Sequence, residues 1–138
     1  MPFDPGRFLA AQDPVLDQVR RELAQGRKQT HWMWFVFPQI AGLGHSAMAQ
    51  RYAIGSLDEA RAYLAHPILG MRLILCTGLV NQVVDRSITQ ILGSPDDMKF
   101  RSSMTLFAAA DPGQVTFQTA LAKYFDGVPD PLTTLALG

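Results

Sequence analysis

Apolar residues recur at helical spacing along most of the chain. Val15, Leu16, Val19 and Leu23 form one stripe at intervals of three and four, the repeat of a helix with one buried face. Asp13 before Pro14 supplies an N-cap and a first-turn proline, and Gly26 supplies the stop. Ser56-Leu57-Asp58-Glu59 reads as a capping box for a second helix, which must end before His66-Pro67. Pro67 then opens a run in which Ile68, Leu69, Met71, Leu73, Ile74, Leu75, Leu79, Val80 and Val83 are apolar on nearly every side. A helix greasy all round predicts a buried central position. Gly70 and Gly78 each cost that helix ~1 kcal/mol in propensity, which predicts close approach of a neighbouring helix. Ser94-Pro95-Asp96-Asp97 repeats the start signal, with Ser94 as cap, for a helix carrying "DDMKFRSSMTLFAAA" and stopping at Asp111-Pro112-Gly113. Val115, Phe117, Leu121, Tyr124 and Phe125 make a further amphipathic segment that ends at Gly127. Asp130-Pro131 caps a short tail expected to fray. No Asn-Gly hairpin signal, strand-like alternation, repeat or linker interrupts the pattern. The expectation is all-α: one compact multihelical domain over residues 1–138 with a buried central helix.

The segment from Thr30, "THWMWFVFPQIAGLGHS", departs from that punctuation. Its aromatic and β-branched content suits a strand, yet a lone strand among helices leaves backbone N–H and C=O groups unpaired in a core. A short helix capped by Thr30 and unwinding before Pro38 satisfies them better. Trp32 then stacks with Phe35 and Met33 with Phe37, mainly as core. In "GLGHS", Gly42 and Gly44 let the chain turn before a helix capped by Ser46, although a peptide nest for an anion is a competing reading.

Composition narrows the class. Hydrophobic residues make up 48% and charged ones 17% of 138, which excludes a disordered chain and suits a globule that buries its core without metal or disulfide. Twelve basic side chains balance twelve acidic ones, so no global field attracts nucleic acid. No apolar run approaches the ~20 residues of a membrane span, and "MPFDPGRF" carries no secretory pattern. Cys76, the single cysteine, sits among Ile74, Leu75 and Leu79, where an inert thiol is expected. These features predict a cytoplasmic protein.

Three stretches, "HWMWFVFPQIAGLGHS", "YAIGSLDEARAYLAHPILGMRL" and "ILGSPDDMKFRSSMTLF", resemble in order, across almost the whole chain, the bacterial family catalogued as domain of unknown function 1810. That resemblance implies a multihelical domain with a buried central helix and no established reaction. Some members carry the label calpastatin. That inhibitor is a disordered, charged, proline-rich chain, so the label does not suit this sequence. The segment "DDMKFRSSMTLF" is also loosely similar to the helical N-glycosidases acting on ADP-ribose-linked compounds and riboflavin intermediates, with no catalytic residue carried over.

Candidate chemistry is polar and sparse. His31, His45 and His66 lie in separate segments without metal-ligand spacing, so no metal and no cofactor is expected. Ser102 and Ser103 sit in no nucleophile elbow. The informative set is His31, Gln39, Asp97, Lys99, Ser102 and Ser103, with Trp32 and Trp34 as walls. Locally, Asp97 caps with Ser94, Lys99 is solvated and the serines bond to carbonyls one turn back. As a pocket, aromatic walls meet a few convergent polar groups. Two functions follow. One is a small-molecule enzyme or binding domain for a nucleotide-like or ribosyl ligand. In it His31 and Asp97 are acid–base candidates, Lys99 an anion contact, and Trp32 or Trp34 a stacking surface near Gln39, Ser102 and Ser103. The other is a non-catalytic interaction module whose aromatic segment is core or partner surface. Neither involves nucleic acid or membrane. Of the two tryptophans, Trp34 is expected to be the more deeply buried.

Overall fold

The computed structural model describes residues 3–138; Met1 and Pro2 of the predicted domain lie outside the described residues. Ten helices follow one another among them: α1 (Pro5–Gln12), α2 (Leu16–Ala24), α3 (Met33–Val36), α4 (Ala47–Arg51), α5 (Leu57–Ala65), α6 (Leu69–Asn81), α7 (Ile88–Leu92), α8 (Asp96–Ala110), α9 (Val115–Phe125) and α10 (Pro131–Leu137). No strand occurs among the described residues. One isolated parallel bridge joins Ile40 to Ile54, where Ala41 N–H donates to Ile54 O (2.8 Å) and Ile54 N–H to Gln39 O (2.8 Å). The backbone groups that a lone strand would orphan are thus paired by a single crossing of two loops.

Several boundaries follow the expected signals. Ser46 and Ser56 cap α4 and α5 by accepting from the N–H groups of Ala49 and Glu59. α5 ends at Ala65, and His66 Nδ1 accepts from the N–H groups of Ile68 and Leu69 (3.2 and 3.3 Å), joining α5 to the start of α6. Gly26 and Gly127 take the left-handed conformation that ends α2 and α9.

Other boundaries differ. Asp4-Pro5 starts a helix that the apolar pattern does not announce, and Asp13 closes that helix instead of opening the next. The Asp13 carboxylate pairs with Arg72 (2.8 Å). α3 begins after Trp32 with no side-chain cap, because the Thr30 hydroxyl donates instead to Glu22 (2.7 Å). α8 likewise has no side-chain cap from Ser94. α7 was hidden in the sequence by its length, although Ser87 and Gln90 form its capping box. The tail is not loose: Asp130 caps α10, and Thr133 is fully buried.

The buried central helix is α8, not the segment after Pro67. α8 packs against α5, α7, α9 and α10, and nine of its residues are buried, from Asp97 to Ala110. α6 leaves Met71 and Leu75, with its N-cap Ile68, on a solvent face. Thr105 suits the centre because its hydroxyl donates to Arg101 O (2.8 Å), one turn back, and Ser102 because its single hydroxyl proton is shared between Met98 O (3.1 Å) and Asp130 Oδ2 (2.9 Å). Around α8 the core is aromatic: Phe37 meets Phe100 edge-on (5.0 Å), and Tyr63 packs on Phe107 (5.3 Å). Cys76 is buried against this core, and burial pushes its thiol up to about 11, in keeping with an inert side chain.

The two glycines of α6 have different reasons. At Gly70 a Cβ would collide with the Leu64 carbonyl of α5, whereas at Gly78 it would meet nothing. Gly70→Ala is therefore expected to destabilise by about 1–3 kcal/mol through overpacking. Gly78→Ala should stabilise by ~0.5–1 kcal/mol through backbone entropy. Thermal unfolding followed by circular dichroism checks both, and equal signs for the two variants would contradict the packing described.

Candidate functional site

The chain between α2 and α3 is organised by a residue that carries charge into the core. Glu22 is 1% exposed and lies on the α2 face that also buries Val19 and Leu23. Its Oε1 accepts from Gln29 N (2.7 Å), Thr30 N (3.0 Å) and the Trp32 indole N–H (3.0 Å). Its Oε2 accepts from Thr30 Oγ1 (2.7 Å) and Gln18 Nε2 (2.8 Å). Burial pushes the carboxyl up, but the hydrogen bonds from Thr30, Gln29 and Gln18 outweigh it and hold the group down at about 2.

Tethering the 29–32 segment in this way decides the fate of the aromatic stretch. Trp32 is sealed in the core at 1% exposure, while Trp34 is only half-buried. This reverses the predicted order, because the indole N–H of Trp32 is drawn inward to Glu22. Met33, Phe35, Val36 and Phe37 are buried as well, so Trp34 alone of these six turns toward the surface.

Two clefts flank the start of α8. The first, about 250 Å³, is lined by His31, Met33, Trp34, Ser94, Pro95 and Asp96, with Lys28 at one wall. Lys28 is bound to Asp96 (3.0 Å) and lies over the Trp32 ring (5.2 Å). The second, about 310 Å³, is lined by Gln39, Leu43, Met98, Lys99, Ser102, Asp130 and Leu132, and shares Pro95 with the first. Lys99 stands between them: its Nζ is 5.4 Å from the centre of the Trp34 ring and 3.5 Å from Asp96, within cation–π range of the aromatic face.

The sequence candidates divide accordingly. His31 and Trp34 come together in the first cleft, and Gln39, Lys99 and Ser102 in the second. Trp32, Asp97 and Ser103 line neither. Of the three residues expected to share a pocket, His31 lines the first cleft, and Trp32 and Asp97 line neither of the two. Asp97 is turned away, its Oδ2 accepting from Thr89 Oγ1 (2.6 Å) and its Oδ1 from Met98 N–H (2.8 Å), which ties α8 to α7. Ser103 is fully buried, and its hydroxyl has no partner among the described residues.

Asp130, Glu22, Lys28 and Asp96 were missed as site or supporting residues. Glu22 had a readable signal, since it follows Val19 by three and so faces the core with it. Asp130 was read only as a cap. The pairing of Lys28 with Asp96 joins residues far apart in sequence, and no local pattern announces it. Among the described residues no three His, Cys, Asp or Glu side chains gather as a metal-binding group, and no single helix is long and apolar enough to cross a membrane.

The fold and the paired clefts define a compact all-α domain built around one buried helix. The chain belongs to the family whose model is described as "Protein of unknown function (DUF1810)", matched over residues 2–137. It is similar to the crystal structure of the conserved hypothetical protein Rv1873 from Mycobacterium tuberculosis, with 57% identity and a TM-score of 0.97, covering 99% of this chain and 98% of that one. No curated protein matches the chain.

The contrast between the tryptophans is measurable. Trp32→Ala should cost ~3–5 kcal/mol, through a large cavity and an orphaned Glu22. Trp34→Ala should cost roughly 1–2 kcal/mol, because part of its ring is already in water. Denaturant unfolding of both variants decides it, and equal losses would contradict the half-buried ring.

Glu22 predicts a pH dependence. Its folded pKa lies below the ordinary 4.5, so its contribution is complete above pH ~4.5 and is lost as pH falls toward about 2. Glu22→Gln should lose about 3 kcal/mol at neutral pH and flatten that acid limb, because the amide cannot supply the charged acceptor that holds the carboxyl low. Unfolding free energies measured from pH 7 to pH 2 check it. An unchanged slope would show that the carboxyl titrates normally.

Proposed function

We propose that this protein binds a small molecule of the nucleotide-like or ribosyl class in the paired clefts beside Lys99. The observation that carries the reading is the placement of Lys99 over the half-buried Trp34 ring, with His31 on the same cleft as that ring and Gln39 and Ser102 on the other. An indole face offers stacking to a planar group, and the ammonium beside it offers an anion contact. Ligand sites span ~300–1,000 Å³. The first cleft alone falls short of that range and the second barely reaches it, which favours a ligand of two linked parts over a single compact one. If the domain is an enzyme, His31 is the acid–base candidate of the first cleft, and Asp97, bonded to Thr89, supports the fold. Balanced charge argues for a small-molecule partner rather than nucleic acid.

A second reading, a non-catalytic interaction module, has one observation in its favour. Ile68, Met71 and Leu75 are 40%, 60% and 39% exposed along one side of α6, a short apolar row away from both clefts.

A thermal-shift screen over nucleotides and ribosyl metabolites separates the two. Binding to the folded state alone raises stability by ~2.7 kcal/mol at a hundred times Kd. The expected result is a concentration-dependent rise that Lys99→Ala and Trp34→Ala abolish. No rise across the panel, or one indifferent to both substitutions, would overturn the reading in favour of the module.

A further inference from the structure

The second cleft has a polar floor whose chemistry is more specific than a cap requires. Asp130 is 8% exposed, and its Oδ2 carries all the carboxylate's bonds. It accepts from Ser102 Oγ (2.9 Å), Thr133 N (3.2 Å) and Thr133 Oγ1 (2.6 Å). The Asp130 N–H donates to Thr105 Oγ1 (2.8 Å). Arg101 fastens the preceding turn by donating to Val128 O (3.0 Å) and Pro129 O (3.1 Å). The carboxylate is thus held on three sides. Its other oxygen, Oδ1, accepts nothing among the described residues, and it is not one of the sealed unpaired atoms.

A carboxylate oxygen that takes no donor from the protein, on a residue lining a cleft, is available to a donor from outside it. Two features choose the donor. Lys99 on the same cleft makes an ammonium ligand unfavourable by like-charge repulsion. Gln39, which can donate and accept, faces the same space with the apolar side chains of Leu43, Met98 and Leu132. Neighbouring hydroxyl groups on a carbon ring match that set: the O–H groups donate to the carboxylate, the amide completes them, and the C–H faces lie on the leucine and methionine walls.

We infer that the Asp130 cleft is a subsite for a neutral polyhydroxylated ring, with Asp130 Oδ1 accepting from adjacent hydroxyls and Gln39 bridging them. This rests on the small-molecule reading above and specifies the half of the ligand that Trp34 does not stack. Asp130 is a binding residue here, fixed for that task by Ser102 and Thr133.

Backbone amide NMR of the ¹⁵N-labelled full chain, titrated separately with D-ribose and with adenine, tests it. D-ribose should shift the amides around Gln39, Ser102 and Asp130, and adenine the indole N–H of Trp34. Asp130→Asn should keep the melting temperature, since asparagine caps as well as aspartate. It should also weaken D-ribose binding about tenfold or more, because the charge-assisted acceptor that the hydroxyls meet is lost. Gln39→Ala, whose lost side chain makes no hydrogen bond among the described residues, should weaken it less. Adenine shifts at Trp34 without D-ribose shifts at Asp130 would overturn the inference and leave the stacking site standing. D-ribose shifts without adenine shifts would support the inference and remove the stacking half of the proposed function. Silence from both would overturn both, and D-ribose binding unaffected by Asp130→Asn would overturn the assignment of Asp130.

Discussion

A carboxylate held inside a protein by neutral donors alone is expensive to desolvate and strict about geometry. Glu22 makes five hydrogen bonds to nitrogen and oxygen donors and no ion pair within the described residues. Losing any one donor leaves charge uncompensated in a low-dielectric site, so the segment from Gln29 to Trp32 has little freedom. That segment feeds directly into α3. With Trp32 pinned inward and Phe35 and Phe37 in the core, the helical turn carries Trp34 outward, beside Lys99. The first cleft is a consequence of how Glu22 is solvated by the protein.

The same logic explains why α8 is the central helix although it is the more polar of the two long helices. Hydrophobicity predicted α6, whose sequence is apolar on every side. α6, however, faces solvent along Met71 and Leu75, with its N-cap Ile68, because α1, α2, α5 and α9 cover only part of its circumference. α8 buries Asp97, Ser102, Ser103 and Thr105, residues that a hydrophobicity count scores as exterior. Three of these four satisfy their polar atoms within one turn or across to α7 and α10, so burial costs them little. Ser103 leaves its hydroxyl unpaired, and its small volume rather than its polarity fits the centre.

Three helix caps were legible in the sequence: Ser46, Ser56 and Asp130 each stand where a cap was expected. Asp13 and Thr30 were misread for one reason. Each has a partner distant in sequence, Arg72 for Asp13 and Glu22 for Thr30, and a distant charge competes successfully with a local N–H. The clefts show the same split. His31, Trp34, Gln39, Lys99 and Ser102 were picked out by residue type, and the structure sorts them into two adjoining spaces. Asp97 and Trp32 were picked out by the same criterion and are absorbed by Thr89 and Glu22. Residue type marks which side chains have the chemistry, but only tertiary pairing marks which still have it to spare.

That distinction bears on how a cap is weighed against a ligand contact. Asp97 and Asp130 are both carboxylates at helix starts, and both have a complete local account. At Asp97 the account uses both oxygens, one for Thr89 and one for Met98 N–H, and the residue lines neither cleft. At Asp130 it uses one, with three donors crowded on Oδ2. Crowding donors on one oxygen is not required for capping, since a single bond to the third residue suffices. The added bond from Ser102 fixes the carboxylate plane against α8, so Oδ1 cannot swing to share the load. The cap thereby becomes a rigid mount for an acceptor, and a rigid acceptor loses less entropy on meeting a ligand than a mobile one. In this fold a residue's structural duty and its availability for recognition are settled oxygen by oxygen.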